Sequence, residues 1–211
     1  MSLIEPLIVP AMIAKTQLDL DALVNRMKSI VGRVQLDVMD GRFVSNTSLQ
    51  FNFILPKGLE YEAHLMVEKP LEWIEKYSQK IKIAIMHVET LKDIESAIDF
   101  VRKKEINVYL SLRPETPAEV VLPYINGIDG VQIMTVDPGN YCDKFLSEPL
   151  KKISKIRKIS STIPVEVDGC MNPETIKLAR QAGANIFATG SYIIKSSDVG
   201  KALRELQQAT R

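Results

Sequence analysis

RVQLDVMDGRF, residues 33–43, is the stretch on which the reading of this chain turns. Taken as a strand, its side chains alternate, so Leu36 and Val38 share one face while Gln35, Asp37 and Met39 share the other. The first face suits packing against helices. The second places a carboxylate two residues after an amide in what otherwise reads as a core strand, and a buried charge is costly unless it is paired. That face asks for a chemical role.

Working outward, apolar β-branched runs alternate with amphipathic helical runs from end to end. The strand candidates are LIVPAMIA, RVQLDVMD, YEAHLMVE, IKIAIMHVE, NVYLSLR, GVQIMTVD, IPVEVD and NIFATG, eight in all, each followed by a helix-like segment. Thr116 with Pro117 and Glu119 predicts a capped helix start, and Asn172 with Pro173 predicts another that Gly183 closes. Asp93 is placed to cap DIESAIDFVRKKE, whose Ile94, Ala97, Ile98 and Val101 lie on one face. Eight strand–helix units in 211 residues predict an α/β fold, a (β/α)8 TIM barrel formed by residues 1–211 as a single domain. An open doubly wound sheet fits less well, because no GxGxxG follows the first strand and the strand count is too high.

Composition narrows the function classes. The chain is 45% apolar and 25% charged, with a formal net charge of +1, which offers no field for nucleic acid or an anionic membrane. The apolar N-terminus is broken by Glu5, Pro6 and Pro10 and lacks a basic lead, so it is expected to be a first strand and not a signal peptide. No apolar run reaches the roughly 20 residues needed to span a bilayer. Cys142 and Cys170 form no disulfide framework, and a cytoplasmic location is expected. The basic run PLKKISKIRKIS, residues 149–160, has Ile153, Ile156 and Ile159 at helical spacing, so its cations are expected to be the solvated face of an outer helix.

Barrel enzymes concentrate their chemistry at the C-terminal strand ends. Reading parity strand by strand gathers a polar set there: Gln35, Asp37 and Met39, then His64 and Met66, His87, Met134 and Asp168. Two carboxylates and both histidines of the chain fall at strand ends, an arrangement that needs pairing or a metal. Asp37 and Asp168 belong to strands three steps apart around the ring, so they are expected to approach a bound molecule from different sides. Opposed carboxylates suit removal of a proton from one face of a carbon and its return to the other. The intermediate enediolate then needs a cation or strong donors.

With these residues in view, the chain resembles the ribulose-phosphate 3-epimerases over nearly its whole length, through LDVMDGRFV, AHLMVEKP, MHVE, RPETPAE, IMTVDPG, VDG, AGAN and TGSYI. The resemblance implies a (β/α)8 barrel that interconverts ribulose 5-phosphate and xylulose 5-phosphate, a small phosphorylated sugar being its partner. It implies Asp37 and Asp168 as the catalytic acid/base pair, both also binding a divalent metal ion (Zn, Fe, Mn, Co or Mg). His64 becomes a metal ligand that also contacts substrate, and Met39, Met66 and Met134 pack over the reacting carbon. Gly139, Gly169, Gly190 and Ser191 become phosphate-binding positions, and the protein is expected to be a homo-oligomer.

The chain also departs from that pattern. Gln35 stands where the family has a histidine ligand, so metal binding is expected to be weaker, shifted toward magnesium or manganese, or lost. Ala11 replaces a substrate-contacting serine. Tyr141, Cys142 and Cys170 stand in glycine positions of the phosphate loops, where a left-handed backbone makes a side chain costly. Both cysteines are expected to be small residues tolerated at a crowded turn; a reversible disulfide or a thiolate site is the alternative. An epimerase is expected; the alternative function is a non-catalytic barrel that binds a phosphorylated ligand.

Overall fold

The computed structural model describes residues 5–139 and 144–211. Eight parallel strands form its centre: β1 (Leu7–Met12), β2 (Arg33–Asp40), β3 (Glu60–Met66), β4 (Ile83–His87), β5 (Asn107–Leu112), β6 (Gly130–Met134), β7 (Val165–Asp168) and β8 (Ile186–Thr189). Each pairs with the strand before and after it, and β1 pairs with both β8 and β2, so the sheet closes into the expected (β/α)8 barrel. All eight strands fall where alternation and β-branched content predict them.

Closure gives every strand two buried faces. Leu36 and Val38 of β2 are fully buried in the outer apolar layer, together with Leu20, Val24 and Met27 of α1 (Gln17–Met27). Side chains of this kind contribute roughly 1.5–3 kcal/mol each on burial. Inside the barrel, Val9, Ile83, Ile85, Tyr109 and Ile186 form a smaller apolar cluster. Much of the remaining interior is polar: Gln35, Glu62, His64, His87, Ser111, Gln132 and Glu166 are all buried.

The other helices are α2 (Pro70–Tyr77), α3 (Ile94–Arg102), α4 (Lys151–Ile159), α5 (Pro173–Ala182), α6 (Ser191–Ile194) and α7 (Val199–Ala209). Asp93 caps α3 by accepting from the Ser96 amide. Asn172 caps α5 by accepting from the amides of Glu174 and Thr175, with Pro173 in the first turn. Gly183 closes that helix at φ 109°, in the left-handed region that favours glycine.

Four expectations need correction. Not every strand is followed by a helix. After β2 the chain makes a loop whose Thr47–Ser48 pairs antiparallel with Met39 and Asp40. After β5, Thr116, Pro117 and Glu119 cap nothing: Pro117 is extended and only the short 3-10 turns Ala118–Val120 and Leu122–Tyr124 follow. The Thr116 hydroxyl donates instead to Glu89, Glu119 pairs with Lys155, and Pro123 cannot supply a helical amide. In α4, Ile153 and Ile156 are buried as expected, but Ile159 is 56% exposed because six residues carry it past the buried stripe. The cations of α4 also do more than face solvent: Lys152 donates to the carbonyls of Arg113 and Pro114, and Arg157 to those of Gly183 and Ile163. No helix among the described residues is long and apolar enough to cross a membrane.

The cap geometry sets one stability prediction. Asn172→Ala removes the one oxygen that accepts from two amides at the start of α5 and should cost about 1 kcal/mol, read as a drop of about 2–4 °C in Tm for a chain of this size.

Candidate active site

The opening stretch splits into two tasks. Asp40, at the end of β2, is a staple: Oδ1 accepts from the amides of Arg42 and Phe43, and Oδ2 accepts from the Glu68 amide beyond β3. This ties together the loops that follow the two strands. Asp37, three residues earlier, points to chemistry.

Register brings the candidates level. Asp37 lies beside His64 across β2–β3, Met39 beside Met66, and Met134 beside Asp168 across β6–β7. The end of β7 is held by Thr135, whose amide donates to the Asp168 carbonyl and whose hydroxyl donates to the carbonyls of Asp168 and Gly169. Asp37, Met39, His64, Met66, Met134, Gly139, Asp168, Gly169, Gly190 and Ser191 all line one cavity of about 400 Å³, with Ala11 also in its wall. Gln35 lies beneath that wall, fully buried. Val44 packs with Met39 and Met66 into a small apolar cluster beside the carboxylates.

The two carboxylates meet at a single atom. Gln35 Nε2 donates to Asp37 Oδ1 and to Asp168 Oδ2, both at 2.8 Å. His64 Nδ1 lies 3.1 Å from Asp168 Oδ2 and 3.5 Å from Asp37 Oδ1, yet forms no hydrogen bond with a described residue. Asp37, His64 and Asp168 thus offer three ligand atoms within 4.8 Å of one another.

A second chain of contacts sets the state of His64. Glu89 Oε2 lies 3.3 Å from His87 Nδ1, and His87 Nε2 lies 2.9 Å from His64 Nε2. The Glu89 oxygen accepts, so the proton of His87 belongs on Nδ1 and its Nε2 accepts from His64. Burial drives the His87 pKa down to about 4, consistent with a neutral ring. Burial raises the Glu89 pKa, but its bonds to His87, Thr116 and the Arg113 amide outweigh this and bring it to about 2, so Glu89 is an anion. His64 Nδ1 then faces two carboxylates with either a lone pair or a second proton. Burial disfavours the proton, but Asp168 and Asp37 outweigh it and push the His64 pKa up to about 10. The position asks for positive charge, and either a proton or a metal cation answers that demand. Burial also raises the Asp37 pKa, with His64 opposing and Asp168 reinforcing the shift.

The glycine positions bear on the mouth. Gly169 has φ 120°, and a Cβ there would lie 2.9 Å from the Val136 amide nitrogen. Cys170 follows at φ 56°, a left-handed conformation, as expected for a residue in a glycine position. Cys170 is not a free thiol. Cys142 and Tyr141 lie outside the described residues.

Sequence reading missed several members. Gln132, Glu166 and Glu62 are buried in the barrel, each two residues before a residue that parity had selected. Extending the same alternation one step down β6, β7 and β3 finds all three. Glu89 and Ser111 act through contacts made across strands, for which the sequence carries no signal. Met171 and Lys195 also line the cavity.

The sequence model of the ribulose-phosphate 3 epimerase family matches residues 4–194. The cytoplasmic isoform of ribulose-phosphate 3-epimerase from Oryza sativa subsp. japonica is 32% identical, over 96% of this chain and 93% of the relative. The Bacillus subtilis ribulose-phosphate 3-epimerase is 30% identical, over 90% of this chain and 94% of its own. Among solved structures, a 3-hexulose-6-phosphate synthase from Salmonella typhimurium aligns at TM-score 0.65 and 14% identity, covering 96% of this chain and 97% of the other. Orotidine 5'-phosphate decarboxylase from Pyrococcus horikoshii aligns at TM-score 0.63 and 13% identity, covering 97% of this chain and 99% of the other. Both structures share the fold.

Proposed function

The chain belongs to the ribulose-phosphate 3-epimerase family, and from that premise we propose that it epimerises ribulose 5-phosphate at the carbon beside the carbonyl through Asp37 and Asp168. The observation that carries this reading is the shared cavity: two carboxylates from β2 and β7 reach one Gln35 nitrogen and open on the same space. The bonds from Gln35 engage one oxygen of each carboxylate and leave the other for a substrate proton. One aspartate removes the proton from its face of the carbon, and the other delivers a proton to the opposite face. Positioned acid–base groups of this kind contribute typically about 10²–10⁴-fold each.

Met39, Met66 and Met134 exclude water from the reacting carbon without competing for its proton. The sugar phosphate is assigned to the end of the cavity lined by Gly169, Gly190 and Ser191, where Lys195 adds a positive charge. Gly139 lines the same cavity. Backbone amides and a lysine are suitable anion donors.

His64 Nδ1, which forms no hydrogen bond with a described residue, and its two carboxylate neighbours fit a divalent cation, so Asp37, His64 and Asp168 are the residues that would hold it. Such a cation would place positive charge beside the developing enediolate oxygens. Gln35 turns its nitrogen toward this position, so as it stands it offers no fourth donor atom. The non-catalytic alternative is not favoured, because the curated relatives are named as epimerases and both candidate proton carriers are retained.

Two outcomes test the proposal. In D2O, deuterium should enter C3 of ribulose 5-phosphate, and Asp37→Asn or Asp168→Asn should each slow this exchange by about 10²–10⁴-fold; wild-type protein that exchanges nothing with any added divalent metal refutes it. Gln35→His should tighten divalent-metal binding, measured by calorimetry, because an imidazole nitrogen replaces an amide N–H. Unchanged affinity would show that Gln35 is not the residue that limits it.

A further inference from the structure

The amide of Gln35 is not isolated. Its oxygen accepts from Gln132 Nε2 at 3.0 Å, and the second Gln132 proton goes to Glu166 Oε1 at 2.8 Å. Gln132 Oε1 in turn accepts from the Ser111 hydroxyl at 2.8 Å. Gln35, Ser111, Gln132 and Glu166 are all fully buried. Four strands, β2, β5, β6 and β7, therefore meet in one hydrogen-bonded column beneath the carboxylates.

Orientation follows from the acceptors alone. Each glutamine nitrogen faces two oxygens: Gln132 Nε2 faces Gln35 and Glu166, and Gln35 Nε2 faces Asp37 and Asp168. Turning Gln35 over on its own would set its carbonyl against two carboxylates and its N–H groups against those of Gln132. Both side-chain amides spend both protons, so neither has a second equivalent pose.

We propose that Gln132 is a positioning residue: it keeps the nitrogen of Gln35, and not the oxygen, turned toward Asp37 and Asp168, so that an amide clasp holds the two carboxylates together from below. The clasp occupies the side from which a further metal donor would reach. The inference rests on the reading of Asp37, His64 and Asp168 as the cation-binding set. A cation entering there meets N–H donors already bound to two of its ligand oxygens. With Gln132 unable to donate, the Gln35 carbonyl loses its partner below and gains by turning toward the cation. Gln132 then governs metal affinity without touching the metal, as outer partners of ligands do, commonly by about ten- to a hundredfold.

The test is calorimetric titration of chelator-treated protein with Mn2+ alone, in the absence of substrate. Gln132→Leu should bind Mn2+ about tenfold more tightly than wild type. In a Gln35→Ala background the same substitution should change affinity by less than about twofold, since the coupling runs through Gln35. Gln132→Met, which keeps the length and flexibility of the side chain but has no donor, serves if the leucine variant does not fold. Spectra of 15N-glutamine-labelled protein supply a second readout. The Gln35 side-chain amide, assigned by its absence in Gln35→Ala, should shift upfield when Gln132 is replaced and the diamagnetic cation Mg2+ is bound, as its hydrogen bonds to the carboxylates are lost when it turns. Affinity equal to or weaker than wild type in the Gln132 variants, with Asp168→Asn still abolishing binding, overturns the clasp and leaves the metal reading standing. Binding that survives Asp168→Asn removes the metal reading, and the inference with it.

Discussion

Two carboxylates held on one nitrogen repel each other, and the site is organised around that repulsion. At the separation of the ligand atoms, 4.8 Å or less, two full charges at an effective dielectric near 20 cost roughly 3–4 kcal/mol. The barrel closes beneath both groups, so water reaches the charge only from the cavity. It is met from two directions: Gln35 donates from below, and His64 Nδ1 stands beside both oxygens as the place where a proton or a cation belongs. The same arrangement gives the catalytic proposal its force, since a pair of aspartates that shares a cavity can exchange protons with whatever lies between them.

The barrel makes this possible by burying both faces of every strand. Outward side chains build the apolar layer against the helices, while inward side chains meet at the axis regardless of their distance in sequence. In this chain the inward set is unusually rich in polar groups, and most of them are satisfied by one another. Gln132 links Gln35, Ser111 and Glu166; His87 links His64 to Glu89. The remainder carries open valences: Glu62 Oε1, Glu166 Oε2 and Arg33 Nε have no hydrogen-bond partner among the described residues. Burial raises the Glu62 pKa, and it pushes that of Glu166 up to about 7. The floor of the barrel is therefore electrostatically tuned by burial more than by pairing.

Gln35 is where the chain departs from the ligand pattern that its resemblance implies, and geometry gives the departure a sense. An imidazole there would offer a lone pair. The glutamine offers two protons, and the donor beneath it opposes the reverse pose. At this position the chain binds the two carboxylates directly.

Local sequence determined the eight strands, their inward and outward faces, and the assembly of Asp37, His64 and Asp168 at strand ends, because a period of two is written into the chain itself and needs no knowledge of neighbours. It also determined the caps at Asp93 and Asn172, whose amide donors lie within three residues. It misjudged Thr116, because the choice between capping a helix and bonding Glu89 is made by a loop from a different strand. It registered Gln35 as a departure but not as a clasp, and it passed over Gln132 and Glu166 altogether. Those roles depend on which atoms face one another across four strands at the barrel axis, and only closure of the sheet decides that, since hydrogen-bond direction between distant residues leaves no periodic trace in the chain.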